Sequence, residues 1–112
     1  MDEPARKYLQ TAFADLINFD AEDPLQPIDP LTYLTPEGDS CLHVAAGRGD
    51  LVAVRLLVDA GLDVNLRGDL GNTPLHYARK STYGEVVKYL LKCGALPELQ
   101  NELGETAAGL RS

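Results

Sequence analysis

Apolar and polar residues alternate along this chain in two distinct patterns. Near the N-terminus, Leu9, Ala12, Phe13, Leu16 and Ile17 stand at i, i+3, i+4, i+7 and i+8. That is one stripe of an amphipathic helix, and it predicts a helix over about residues 4–19. From residue 31 onward the pattern has a longer period. Gly38, Gly71 and Gly104 lie 33 residues apart, as do Leu42 and Leu75, His43 and His76, Ala45 and Ala78, Leu57 and Leu90, and Gly61 and Gly94. The apolar positions Tyr33, Leu66 and Leu99 keep the same step. Identities at one offset over so many positions mark an internal repeat.

Each period predicts two short helices and a turn. In the second period Thr73 can cap a helix with its hydroxyl, and Pro74 follows where a missing N–H costs nothing. That helix runs to about Lys80. A second one carries Val86, Val87, Tyr89, Leu90 and Leu91 and stops at Gly94. The first period predicts a cap at Ser40, a helix to about Ala46, a break over residues 47–49, a helix over residues 51–60 and a stop at Gly61. Glycine-bearing turns at 69–72 and 102–105 join the units. One helix pair of this size cannot hide its apolar face, so the pairs must stack into a solenoid.

These residues resemble the ankyrin repeat. Its motif is a glycine turn, then T-P-L-H-x-A-A, a break, a second helix ending in L-L-x-x-G-A, and D-V-N. The second unit reads Gly71-Asn72-Thr73-Pro74-Leu75-His76-Tyr77-Ala78. The first reads Gly38-Asp39-Ser40-Cys41-Leu42-His43-Val44-Ala45-Ala46, then Gly61-Leu62-Asp63-Val64-Asn65. The resemblance covers about residues 31–112. It implies an all-α ankyrin-repeat solenoid of helix-turn-helix units joined by hairpin-like turns, with an N-terminal capping helix. The organisation expected is a cap and acidic connector over 1–35, repeats over 36–68 and 69–101, and a C-terminal half-repeat over 102–112. Three departures stand out. Cys41 replaces the usual proline, residues 82–84 depart from the usual start of the second helix, and Ala95-Leu96-Pro97-Glu98 replaces A-D-V-N. The N-terminal stripe, counted back by 33, fits neither helix of a repeat, so it is read as a cap of another kind. Residues 20–30 hold three prolines and four acids, an extended acidic connector.

Charge narrows the partners. The net charge is −7. Seven acids and two bases in residues 1–35 give −5, and ten acids and eight bases in the remainder give −2. Phosphate backbones and anionic membranes repel such a chain, whereas a basic protein surface attracts it. No apolar run approaches the ~18 residues of a membrane span. The N-terminus has no basic segment leading into an apolar one, so a cytoplasmic location is expected. Cys41 and Cys93 read as reduced, small apolar residues rather than a disulfide framework.

No constellation of residues points to catalysis, a metal or a cofactor. Cys41-Leu42-His43 is too sparse for zinc, which takes four ligands. The Gly47-x-Gly49 pair follows no strand and makes no phosphate cradle. Arg48-Gly49-Asp50 spells an adhesion tripeptide but falls in a turn between helices. The resemblance assigns His43 and His76 to hydrogen bonds within the repeat framework.

It also implies a docking face made of the turn tips and the exposed side of the first helices. Carried over residue by residue, this gives Glu37 and Asp39 at the first tip, then Asp69, Leu70 and Asn72, then Glu102, Leu103 and Glu105. The helices contribute Gly47, Arg48, Lys80 and Ser81, with Tyr83 nearby. The expected function is non-enzymatic binding of another protein with a basic docking surface, as a monomer. Inhibitor or immunity-type action is included, because the chain looks like small stand-alone bacterial ankyrin-repeat proteins. The alternative is a structural or assembly role through self-association.

Overall fold

Short capped helices linked by tight turns make up this protein. A computed structural model describes residues 2–16, 28–80 and 84–107. The helices among them are α1 (Glu3–Ala12), α2 (Cys41–Arg48), α3 (Leu51–Asp59), α4 (Pro74–Lys80) and α5 (Gly84–Lys92). No strand forms among the described residues, only isolated bridges pairing Leu34 with Ser40 and Gln100 with Thr106. The architecture is an all-α ankyrin-type solenoid.

Helices α1 to α4 each begin where a short polar side chain takes an orphan backbone N–H. Asp2 accepts from the Ala5 N–H at 2.9 Å, and Asp50 from the Ala53 N–H at 3.1 Å. Ser40 and Thr73 cap α2 and α4 in the same way. Helix α2 ends at Gly49, whose φ of 72° only glycine adopts freely. The break after α2 is therefore narrower than the sequence suggests. Gly47 lies inside the helix, its α-carbon facing Tyr77.

The helices stack in two rows. Helix α2 packs on α4 in an inner row, while α3 packs on α5 in an outer row. Within the outer row the Arg55 guanidinium of α3 lies 5.8 Å from the ring centre of Tyr89 in α5. Between the rows lies a continuous core. Leu42, Ala45, Ala53, Val54, Leu57, Ala78 and Leu90 are all completely buried.

Helix α1 joins the outer row on the other side of α3, running the opposite way. Its N-terminal residues Asp2 and Ala5 line a hollow with Leu56, Asp59 and Ala60 at the C-terminal end of α3. Its Tyr8 hydroxyl donates to Asp50 at the N-terminal end of α3, at 3.0 Å. Leu9 and Phe13 are buried against the core, and Ala12 and Leu16 are half-buried. The helix is shorter than its stripe predicts, because the chain turns at Phe13, and Ile17 and the connector over 17–27 lie outside the described residues. The terminal helix expected after Gly104 is described only as far as Ala107, which is buried.

Leu90 has no exposed surface and sits where α5 meets the core. Leu90→Ala should lower unfolding free energy by about 2–5 kcal/mol, read from urea titrations. Leu34→Ala, at a site 57% exposed, should change it by less than about 0.5 kcal/mol.

Candidate protein-docking face

Three turn tips project from the inner row, all built the same way. The Thr35 N–H donates to the Asp39 carbonyl at 2.8 Å, Gly68 to Asn72 at 2.8 Å, and Asn101 to Glu105 at 2.9 Å. These pairs follow each other at 33 residues. Gly38, Gly71 and Gly104 take positive φ at the same point of each tip. Gly68 answers to space rather than to φ. A Cβ there would lie 2.9 Å from the His43 ring nitrogen Nε2 and would overlap the Asp39 carboxylate.

A histidine ties the second tip, and another the third, to the helix before it. The Ser40 N–H donates to His43 Nδ1 at 3.0 Å, so the ring proton sits on Nε2. That nitrogen donates to the carbonyls of Leu66 at 2.8 Å and Asn72 at 3.0 Å. The second unit repeats the device: Thr73 N–H donates to His76 Nδ1 at 3.0 Å, and Nε2 donates to the Glu105 carbonyl at 2.9 Å. Burial pushes the His43 imidazole below its ordinary value of 6.5, against the opposing pull of its carbonyl partners and Asp39.

Neighbouring tips are also bonded directly. The Glu102 N–H donates to the Leu70 carbonyl at 2.8 Å, and the Asp69 N–H to the Asp39 carboxylate at 2.8 Å. One 33-residue step earlier the same position is Pro36, which has no N–H. The Tyr77 hydroxyl also donates to Asp39, at 2.8 Å. Burial and that carboxylate push the Tyr77 phenol well above its usual range. Asn101 donates to the Asn72 side chain at 2.8 Å and accepts from the N–H groups of Leu103 and Glu105, each at 2.9 Å.

The residues expected to dock a partner therefore divide. Glu37, Leu70, Glu102, Leu103 and Glu105 are exposed, and Asp69 is half-buried. Leu70 is 47% exposed and Leu103 67%. Leu70 is held at φ 55°, the one non-glycine residue with positive φ among those described. Asp39 and Asn72 are framework instead. Asp39 is occupied by Asp69 and Tyr77, and Asn72 is 6% exposed with its side chain braced to Asn101. Arg48 is turned toward the N-terminal helix. It donates to the Ala12 carbonyl at 3.0 Å, pairs with Asp15 and lies over the Phe13 ring. That pairing holds the Asp15 carboxyl below the usual range. Gly47 is half-buried beside Tyr77. Lys80 ends α4; its side chain, with Ser81 and Tyr83, lies outside the described residues.

Asn101, Arg67 and Tyr77 went unnoticed in the sequence. Arg67 bridges the carbonyls of Gly71 and Gln100. The signal was present for Asn101, which stands three residues before a turn glycine and 33 after Gly68. Among the described residues no group of three or more His, Cys, Asp or Glu side chains could hold a metal ion. The Cys41 thiol is buried and pushed up to about 12, far from a reactive thiolate. No described helix is long and apolar enough to cross a membrane.

Known proteins carry the same repeat. A family model describing three copies of the ankyrin repeat matches residues 8–101. The chain belongs to the ankyrin-repeat family. Ankyrin repeats are protein–protein interaction modules, and the family is generally non-catalytic. Protein phosphatase 1 regulatory subunit 27 of Homo sapiens is 36% identical over 80 residues, covering 71% of this chain and 52% of that protein. Ankyrin repeat domain-containing protein 40 of Homo sapiens is 44% identical over 72 residues, 63% of this chain and 20% of that protein. The ADP-ribosylation factor GTPase-activating protein AGD4 of Arabidopsis thaliana is 41% identical over 68 residues, 61% of this chain and 9% of that protein. This ankyrin-repeat chain thus spans about half the length of the first relative and smaller shares of the other two.

The histidine brace makes stability depend on pH. His43 stays neutral in the fold at pH values where an unfolded chain, titrating near 6.5, takes up a proton. Stability is full above about 6.5 and falls as the pH drops below it toward the lowered folded value. Urea midpoints should drop between pH 7.5 and 5. The drop should shrink in His43→Gln, and an unchanged drop would show that another group is responsible.

Proposed function

We propose that this chain is a non-catalytic binding module that takes a basic, partly apolar protein segment across its second and third tips. Residues 1–35 serve as the N-terminal cap, 36–68 and 69–101 as the two repeats, and 102–112 as the C-terminal half-repeat. The observation that carries this reading is the pair of exposed leucines, Leu70 and Leu103, on successive tips. Leu70 stands in a left-handed conformation that costs a branched side chain about 1–2 kcal/mol relative to glycine. Backbone strain persists where the surrounding structure fixes it, and it concentrates at ligand sites.

Charge completes the match. Glu37, Asp69, Glu102 and Glu105 stand on the same row of tips as the two leucines. Acidic groups at the rim steer a basic segment toward the face, while buried leucine area slows its release. Action by occupancy follows: the bound segment is covered, as an inhibitor or immunity-type protein requires. The regulatory-subunit name of the phosphatase relative agrees with this mode.

Selection from a phage-displayed random peptide library tests the reading. Enriched peptides should combine Lys or Arg with apolar residues. Asp69→Lys with Glu102→Lys should weaken their binding by tenfold or more and leave Tm within a few degrees. Leu70→Gly should weaken it as well while preserving or raising stability. Enrichment of acidic peptides, or charge swaps that leave affinity intact, would refute the docking face.

A further inference from the structure

Two helices that occupy equivalent places in the outer row differ in how well they are covered. Val54 of α3 is completely buried, whereas its counterpart one repeat on, Val87 of α5, is only half-buried. Val58 of α3 is half-buried, whereas its counterpart Leu91 is 41% exposed. By contrast, Leu57 and Leu90 are equally sealed, as are Ala53 and Val86 to within a percentage point. The positions turned toward the core thus match, and the positions turned along the stack do not. Helix α5 supplies the cover on α3. Past α4 the inner row continues through the third tip to Ala107, but no described residue continues the outer row past α5.

The open side of α5 is a stripe of Val87 and Leu91, with Leu96 (44% exposed) just beyond the helix end. Gly84 on the same side has nothing within 4 Å of where its Cβ would be. At 100° per residue, Glu85, Lys88 and Lys92 fall together along the solvent flank of this stripe. The acid stands at the start of the helix and a base at its end.

We infer that a second copy of this chain covers α5, the two α5 helices packing antiparallel about a two-fold axis. A two-fold contact needs a patch complementary to itself. This patch is self-complementary in antiparallel order alone. Pairing centred on Tyr89 sets Val87 of each copy against Leu91 of the other. It sets Glu85 beside Lys92, and the opposed helix dipoles attract. Parallel pairing about a two-fold axis would put the two charged flanks on opposite sides of the seam, leaving Glu85 and Lys92 without each other, and would align the helix dipoles unfavourably. The tips lie on the inner row, so both docking faces stay open in the pair, and the contact is independent of the peptide reading above.

Sedimentation equilibrium of the full chain, from micromolar to millimolar, tests this. The mass should rise from 12.1 kDa toward twice that value. Leu91→Lys should hold it at the single-chain mass, with the far-UV circular dichroism of the parent. Glu85→Lys alone and Lys92→Glu alone should each weaken association about tenfold or more, and the double variant Glu85→Lys/Lys92→Glu should restore it. A chain of 12.1 kDa at every concentration overturns the inference. So does a dimer indifferent to Leu91→Lys, or a double variant as weak as the singles.

Discussion

The solenoid depends on one buried imidazole per repeat being satisfied from two sides. An isolated buried polar ring would cost a few kcal/mol. Here Nδ1 accepts from the residue that caps its own helix, and Nε2 donates to carbonyls of the following tip. The same ring therefore starts a helix and places the next loop. Glycine at 68 is the corollary, because the tip passes so close to the imidazole that a methyl group does not fit. Core packing supplies most of the stabilisation, and the imidazole determines where successive units stand.

The fold was largely legible in the sequence because its code is periodic. Leu42 with Leu75 and His43 with His76 state the core and the brace twice, and the turn glycines state the tips three times. The N-terminal helix was harder. Its stripe revealed Leu9 and Phe13 as core, but periodicity does not report direction. That α1 runs against α3 follows from Tyr8 reaching Asp50 and Asp2 lying near Asp59. Its early end at Ala12 follows from the chain folding back through residues 13–16, which the spacing does not encode.

The docking face was less legible, for reasons particular to each residue. Tip residues were assigned by position, and position does not distinguish a side chain that points outward from one consumed by a neighbouring tip. Asp39, Asn72 and Arg48 each found a partner 29 or more residues away in sequence. Polar residues at turns and helix ends are ordinarily solvated, so nothing local marked these three as bound. Leu70 was named for its side chain, but its left-handed backbone arises from the turn it shares with Gly71.

The bonds between tips give their row a polarity. Each loop offers an N–H back toward the loop before it: Glu102 to Leu70, and Asp69 to the side chain of Asp39. Pro36 occupies that place in the first loop and has nothing to offer. Unpaired backbone donors at the margin of a hydrogen-bonded row can recruit foreign chains, a hazard that sheet proteins often meet with proline. A single ring closure does the same here, sealing one margin of the row against accretion.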